Sequence, residues 1–216
     1  MNSLAASILC LASACGESTQ PIANQSQYMV AHGLEKLPAE TMTDWVSYAD
    51  IVARVTVTSE RMLAPGPEVG ENGEGYVPRA VGLSVNELLW VATENVKPGA
   101  ALDMVAPGWW FTEGQYLPIC IEGGERLEPK SDYIVPLVRY ERGWAVLAQS
   151  AIVSSQPQAA VGSCESDNQL VKSLRGVPSA EIRERIAQAP RDADVERNRS
   201  LPPVERYELV ESSRRR

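Results

Sequence analysis

A mainly β domain is the fold class this sequence predicts: a barrel, or failing that a sandwich, of about five to six short strands, with short helices after it. Two observations carry that reading. Short runs of alternating apolar and polar residues follow one another from residue 49 to residue 153, separated by Gly- and Pro-containing turns and by no helical pattern. After Ser155 the character changes to helix-length segments with capping residues.

The first strand is the clearest. Ile51, Ala53, Val55 and Val57 alternate with Val52, Arg54, Thr56 and Thr58, the period of a half-buried strand. Just before it, Thr43-Asp44-Trp45-Val46-Ser47-Tyr48 predicts a short helical turn, with Thr43 or Asp44 as its cap. Pro65-Gly66-Pro67 and Glu68 to Gly75 predict a mobile loop. A second strand runs from Tyr76 to about Ala92, with Val81, Leu83 and Val85 on one face. Its run Leu88-Leu89-Trp90-Val91 breaks the alternation and predicts a bulge or bend. Pro98-Gly99 turns the chain into a third strand over 101–106, and a loop is expected from Pro107 to Tyr116.

Residues 117–121, 131–140 and 143–153 are the remaining strands, with Gly143 supplying positive φ in a short hairpin. Pro136 has no N–H to give a ladder, so its strand is expected at an edge or bulged. Helices are expected over 167–174, ended by Gly176, and over 179–188, where Ile182 and Ile186 make a narrow apolar stripe. Residues 190–216 mix both charges with prolines and end Arg214-Arg215-Arg216, a composition that predicts disorder.

The order Ala49-Asp50-Ile51-Val52-Ala53-Arg54-Val55, a long loop, Glu87-Leu88-Leu89-Trp90, and later Ser131-Asp132-Tyr133-Ile134-Val135 resembles the OB-fold of netrin modules and tissue inhibitors of metalloproteinases. The resemblance covers about residues 49–153. It implies an OB-like barrel, closed or partly open. It does not imply the inhibitory function, which in that family needs a free N-terminal Cys-x-Cys start that this chain lacks.

The N-terminus points to a compartment. Residues 4–14 are apolar or small and end Ala12-Ser13-Ala14, the small-x-small pattern of signal-peptide cleavage. Leu11-Ala12-Ser13-Ala14-Cys15 also resembles a bacterial lipobox. A signal peptide over 1–14, lipidation at Cys15 and a polar tether over 15–40 are therefore expected, carrying a domain over 41–189. No Lys or Arg precedes Lys36, so the alternatives are a start further upstream, or an apolar stub. The four cysteines agree with export: once Cys10 is removed and Cys15 acylated, Cys120 and Cys164 remain as one disulfide pair. The expected location is extracytoplasmic and membrane-anchored through the lipid, with free secretion the alternative. Two reduced, buried cysteines in a cytosolic protein are the competing reading of the pair.

Chemistry is sparse. A formal charge of −8 argues against nucleic acid as a partner. His32 is the lone histidine and is expected in the tether, solvated, so neither a Ser-His-Asp triad nor a multi-histidine zinc site forms within the domain. No cofactor is expected. Glu68, Glu71, Asn72 and Glu74 lack the spacing of a calcium loop. The aromatic run Trp109, Trp110, Phe111 with Tyr116 is the candidate contact for a partner, because consecutive side chains on a strand point to opposite faces and cannot all be buried in one core. The competing reading covers it with the C-terminal helix. A binding or interaction module without a catalytic site, holding an envelope protein or an extracellular ligand, is the expected function. An envelope hydrolase or inhibitor drawing on Glu87, Asp103, Glu113 or Asp132 and a structural spacer are the alternatives.

Overall fold

The computed structural model describes residues 28–33, 35–65, 73–94, 96, 98–141, 143–155 and 164–216. Strand β1 (Met29–Ala31) and helix α1 (Met42–Tyr48) precede β2 (Ile51–Met62) and β3 (Gly75–Val91). Next come β4 (Ala101–Thr112), β5 (Gln115–Ile121), β6 (Asp132–Tyr140) and β7 (Gly143–Val146). A single 3-10 turn (Gln149–Ala151), β8 (Val153–Ser154) and helices α2 (Gln169–Leu174), α3 (Ser179–Gln188), α4 (Ala193–Arg197) and α5 (Pro203–Arg214) complete the chain. The expected signal peptide, Cys15 and Glu68, Glu71 and Asn72 lie outside the described residues.

Five strands close on themselves in the order β2–β3–β4–β7–β6–β2, an OB-like barrel. Every pair is antiparallel except β4–β7, which meet in parallel at Met104 and Trp144. Ile51, Ala53, Val55 and Val57 point inward with Leu83, Met104, Tyr133 and Val135 to fill the barrel. The alternation in β2 therefore does what its period predicts. Val52 points outward yet is buried, because the helices cover that face together with Leu89, Ile134 and Val138. The molecule has two cores on either side of one sheet.

The bulge expected around Leu88 is present. Val52 pairs with Trp90 and Ala53 with Leu88, so Leu89 has no partner in β2 and turns into the outer core. Gly143 takes positive φ as expected. Pro136 is a correction. It lies in the interior strand β6, opposite Val52 on one side. Its carbonyl accepts from the Leu147 N–H, so its nitrogen faces the gap between β7 and β8, where no ladder bond is needed.

Two further expectations are overturned. The stretch 28–40 is not a tether: β1 pairs in parallel with β5, and Leu37 and Ala39 are buried beside Trp45, whose indole N–H donates to the Ala39 carbonyl. Residues 190–216 are not disordered: Val195 and Val210 sit in the outer core. Their arginines reach across the chain to finish α1. That helix has no basic residue in its last turn. Arg199 donates to the Val46 and Ala49 carbonyls, and Arg206 to the Tyr48 carbonyl, satisfying groups a helix end leaves open. At the other end of α1, Thr41 rather than Thr43 or Asp44 is the cap: Asp44 N–H donates to its hydroxyl oxygen and the Asp44 carboxylate accepts from Thr41 N–H.

Candidate functional site

The aromatic residues belong to a hairpin, not a loop. β4 does not stop at Ala106 but passes through Pro107-Gly108 and continues to Thr112. At Gly108 the backbone crosses β3 so closely that a Cβ would strike the Val77 carbonyl oxygen and lie 2.9 Å from Pro78 C. Only glycine allows the strand to run on. Glu113 (φ 49°) and Gly114 (φ 76°) then make a two-residue turn with positive φ at both positions, the geometry that matches strand twist in a tight hairpin.

The hairpin extends past the barrel. β2 pairs with β3 only as far as Arg79, so residues 75–77 of β3 pair with the end of β4, which pairs in turn with β5. Tyr76, Trp110 and Leu117 form one cross-strand row. Val77, Trp109 and Pro118 form the next, and Phe111 lies opposite Tyr116. Trp110 thus points to the face opposite Trp109 and Phe111, as consecutive strand residues must. All three are half-buried, and Tyr116 is 49% exposed. The Phe111 and Tyr116 rings pack with centroids 4.8 Å apart. The C-terminal helices make their main contacts on elements other than β4 and β5: α3 packs on β3 and α1, and α5 on β6 and α4.

One side of Trp109 is taken by Arg126, a residue the sequence reading missed. Its guanidinium carbon sits 5.3 Å from the ring centroid. Arg126 donates to the carbonyls of Pro107, Gly108 and Ile119, and its Nε lies 3.0 Å from Glu128 Oε1. Arg79 donates to the Pro107 carbonyl as well and pairs with Glu60. Burial, then the neighbouring Arg79 charge, lowers the Arg126 pKa from its ordinary value, against the pull of Glu128 and Glu60. These two buried cations anchor the root of the hairpin by binding the carbonyls that the strand crossing leaves without ladder partners.

The other candidates are dispersed. Glu87 pairs with Arg183, Asp132 accepts from Thr56 and faces Arg54, Asp103 lies opposite Gly82, and Glu113 is at the hairpin tip. Among the described residues, no hydrogen bond or ion pair joins any two of them. His32 is fixed rather than loose, its Nδ1 2.6 Å from Glu122 Oε2, but both side chains are largely exposed. Glu74 accepts from the Thr112 hydroxyl and so belongs to the hairpin, not to a cation loop. Among the described residues no three His, Cys, Asp or Glu side chains come together as metal ligands.

Cys120 and Cys164 are at disulfide-bonding distance, their Cα atoms 5.5 Å apart, and both are buried. The pair ties β5, at the base of the hairpin, to the segment leading into α2. Nearby, Glu125 is 3% exposed, with Oε2 lacking a hydrogen-bond partner. Burial pushes its pKa up to about 7, against the opposing pull of Arg175 and of hydrogen bonds from Ser154. No family model, curated protein or solved structure matches the chain.

Proposed function

We propose that this chain is a binding module which holds an envelope protein or extracellular ligand on the aromatic hairpin, and which works outside the cytoplasm on a lipid attached to Cys15. The observation that carries the reading is the hairpin itself. It extends past the closed barrel and shows half-buried aromatic side chains on both of its faces, with Tyr116 open to solvent. Such rings bind flat apolar or peptide surfaces and lose little rotamer freedom in doing so. Two buried arginines hold the root of the hairpin, so the rings are set in place before any partner arrives.

The compartment is argued from the leader pattern, Cys15 and the Cys120–Cys164 pair, which suits an oxidising environment. The OB-like barrel is compatible with kinship to netrin modules and metalloproteinase inhibitors, and that kinship remains part of this proposal. No Cys-x-Cys occurs among Cys10, Cys15, Cys120 and Cys164, so the inhibitory chemistry is not part of it.

Capture of an envelope partner by the wild-type chain, lost in Trp110→Ala and Tyr116→Ala and retained in Val105→Ala on the barrel wall, is the expected result. Equal capture by all four proteins sinks the hairpin as the binding surface. Palmitate labelling that vanishes in Cys15→Ser tests the anchor, and a mature protein that keeps an unmodified Met1 and reduced thiols removes it.

A further inference from the structure

Where the hairpin passes the barrel, one edge of β5 is left open. Among the described residues β5 pairs with β4 over 115–118, whereas β1, on the opposite edge, pairs only with 119–121. The two-residue turn closes on Thr112 and Gln115, so Gln115 and Leu117 turn their backbone groups toward β4. Tyr116, between them, turns its N–H and its carbonyl to the other edge. Pro118 has no N–H to carry the β1 ladder onward, and that pairing goes no further than Met29. Such an edge is a template on which an extended segment adds as a strand.

Charge is the second observation, independent of the first. The described part of the hairpin, 73–77 and 109–118, holds two charged residues, Glu74 and Glu113, and both are acidic and exposed. Arg79 and Arg126 at its root are buried, and carbonyls with Glu60 and Glu128 occupy them. The exposed end therefore presents negative charge beside aromatic rings. On the face that carries Trp109, Phe111 packs on Tyr116, the most exposed ring of the four. The chain itself seats a guanidinium on an aromatic ring twice, Arg126 over Trp109 and Arg191 over Trp90, each 5.3 Å from the centroid.

The sign of the charge selects the occupant. A second copy of the hairpin brings two more glutamates, and residues 16–27, upstream of β1, carry Glu17 and no Lys or Arg. Neither supplies a cation. We infer that the hairpin takes an extended basic segment of its partner, paired with β5 through Tyr116, its Lys or Arg side chains over the Phe111 and Tyr116 rings and beside Glu113. The inference rests on the hairpin being the binding surface and names the chemistry of what it holds.

Three capped heptapeptides, titrated separately into the oxidised full chain and followed by amide chemical shifts, test this. They are Thr-Arg-Val-Arg-Val-Arg-Thr, the same peptide with glutamine for arginine, and the arginine peptide N-methylated at its three central residues. The arginine peptide is expected to saturate by about 5 mM, with shifts centred on 111–118. The glutamine and N-methylated peptides are each expected to bind at least about fivefold more weakly, through loss of charge and of the backbone bonds respectively. Glu113→Gln, in an exposed turn, is expected to weaken the arginine peptide by about two- to fivefold and to leave the glutamine peptide unchanged.

No saturation, shifts centred elsewhere, either control peptide binding as well as the arginine peptide, or unchanged affinity in a folded Glu113→Gln overturns the inference. So do contacts between 20–27 and 115–118 before any peptide is added, or self-association through the hairpin, since this chain then fills the edge itself. If Glu113→Gln fails to fold, the three-peptide comparison on the parent chain decides alone. Partner capture lost in Trp110→Ala and Tyr116→Ala, together with failure of the arginine peptide, sinks this inference and leaves the hairpin as the binding surface. Capture unchanged in both variants sinks the two together.

Discussion

Glu125→Gln tests whether the buried carboxyl beside the disulfide carries a pH-dependent cost. The folded chain holds this proton up to about pH 7, against an ordinary value of 4.5. Below about pH 4.5 folded and unfolded chains are both protonated there, and Glu125 costs nothing. Between those values the unfolded chain releases the proton while the folded chain keeps it, so stability falls as pH rises. Above about pH 7 the loss is complete. At ~1.4 kcal/mol per unit, that gap amounts to roughly 3 kcal/mol. Glutamine has no proton to lose. Its cost is the attraction to Arg175, whose Nη2 lies 3.7 Å from Glu125, but Arg175 keeps Glu165 at 3.0 Å. Glu125→Gln is therefore expected to match the parent near pH 4.5 and to exceed it by ~2–3 kcal/mol at pH 8. Urea unfolding of both proteins across this range, read by tryptophan fluorescence, cancels every other titrating group in the difference. A difference that does not change with pH, or a variant less stable at pH 8, refutes the reasoning.

Gly108→Ala drives a methyl into the Val77 carbonyl with backbone on every near side. A loss of more than about 3 kcal/mol, or no cooperative unfolding at all, is expected in thermal melts, whereas a melt like the parent's means the strands do not cross there. Gly114→Ala has open space but sits at φ 76°, so only about 1 kcal/mol is lost. Replacing Cys120 and Cys164 together by serine removes a link between residues 44 apart. The chain-entropy relation gives about 4 kcal/mol, measurable as a fall in urea midpoint that a reductant reproduces in the parent. Thr41→Ala deletes the α1 capping box at about 1 kcal/mol, and Thr41→Ser restores most of it.

The parts of the fold that were legible in the sequence are those in which neighbours along the chain decide the geometry. The alternation of Ile51, Ala53, Val55 and Val57 and the stripe of Ile182 and Ile186 each face one core, and their periods say so. The Leu88–Val91 run showed its bulge because four apolar residues in a row cannot keep a period of two. Cys120 and Cys164 were legible for another reason: they are the two cysteines inside the predicted domain, and only a cysteine pairs with a cysteine. Pro107-Gly108 misled because the pair usually marks a turn, and nothing local tells a turn from a strand that must pass close to another backbone. Glu113-Gly114 hid the hairpin because glutamate seldom takes positive φ.

The finish of α1 and the root of the hairpin were not legible, and arginine is the reason. Read along the chain, Arg199 and Arg206 are two charges among many in a proline-containing tail, the composition of a disordered segment. Their work depends on carbonyls at the end of α1, and Arg206 reaches one 158 residues away. Arg79 and Arg126 likewise bind the Pro107 carbonyl, exposed only because β4 crosses β3 there. A guanidinium has five N–H groups and a long stem, so it satisfies backbone acceptors that are left open only once the fold exists. No pattern of spacing records that need, since the acceptor is a carbonyl every residue carries. The same chemistry works at both ends of the barrel. Around Arg126, two carboxylates and three carbonyls occupy the cation, so that end is anchored and closed. Around Arg206 two carbonyls hold the guanidinium, and Asp50 and Glu196 supply the opposite charge.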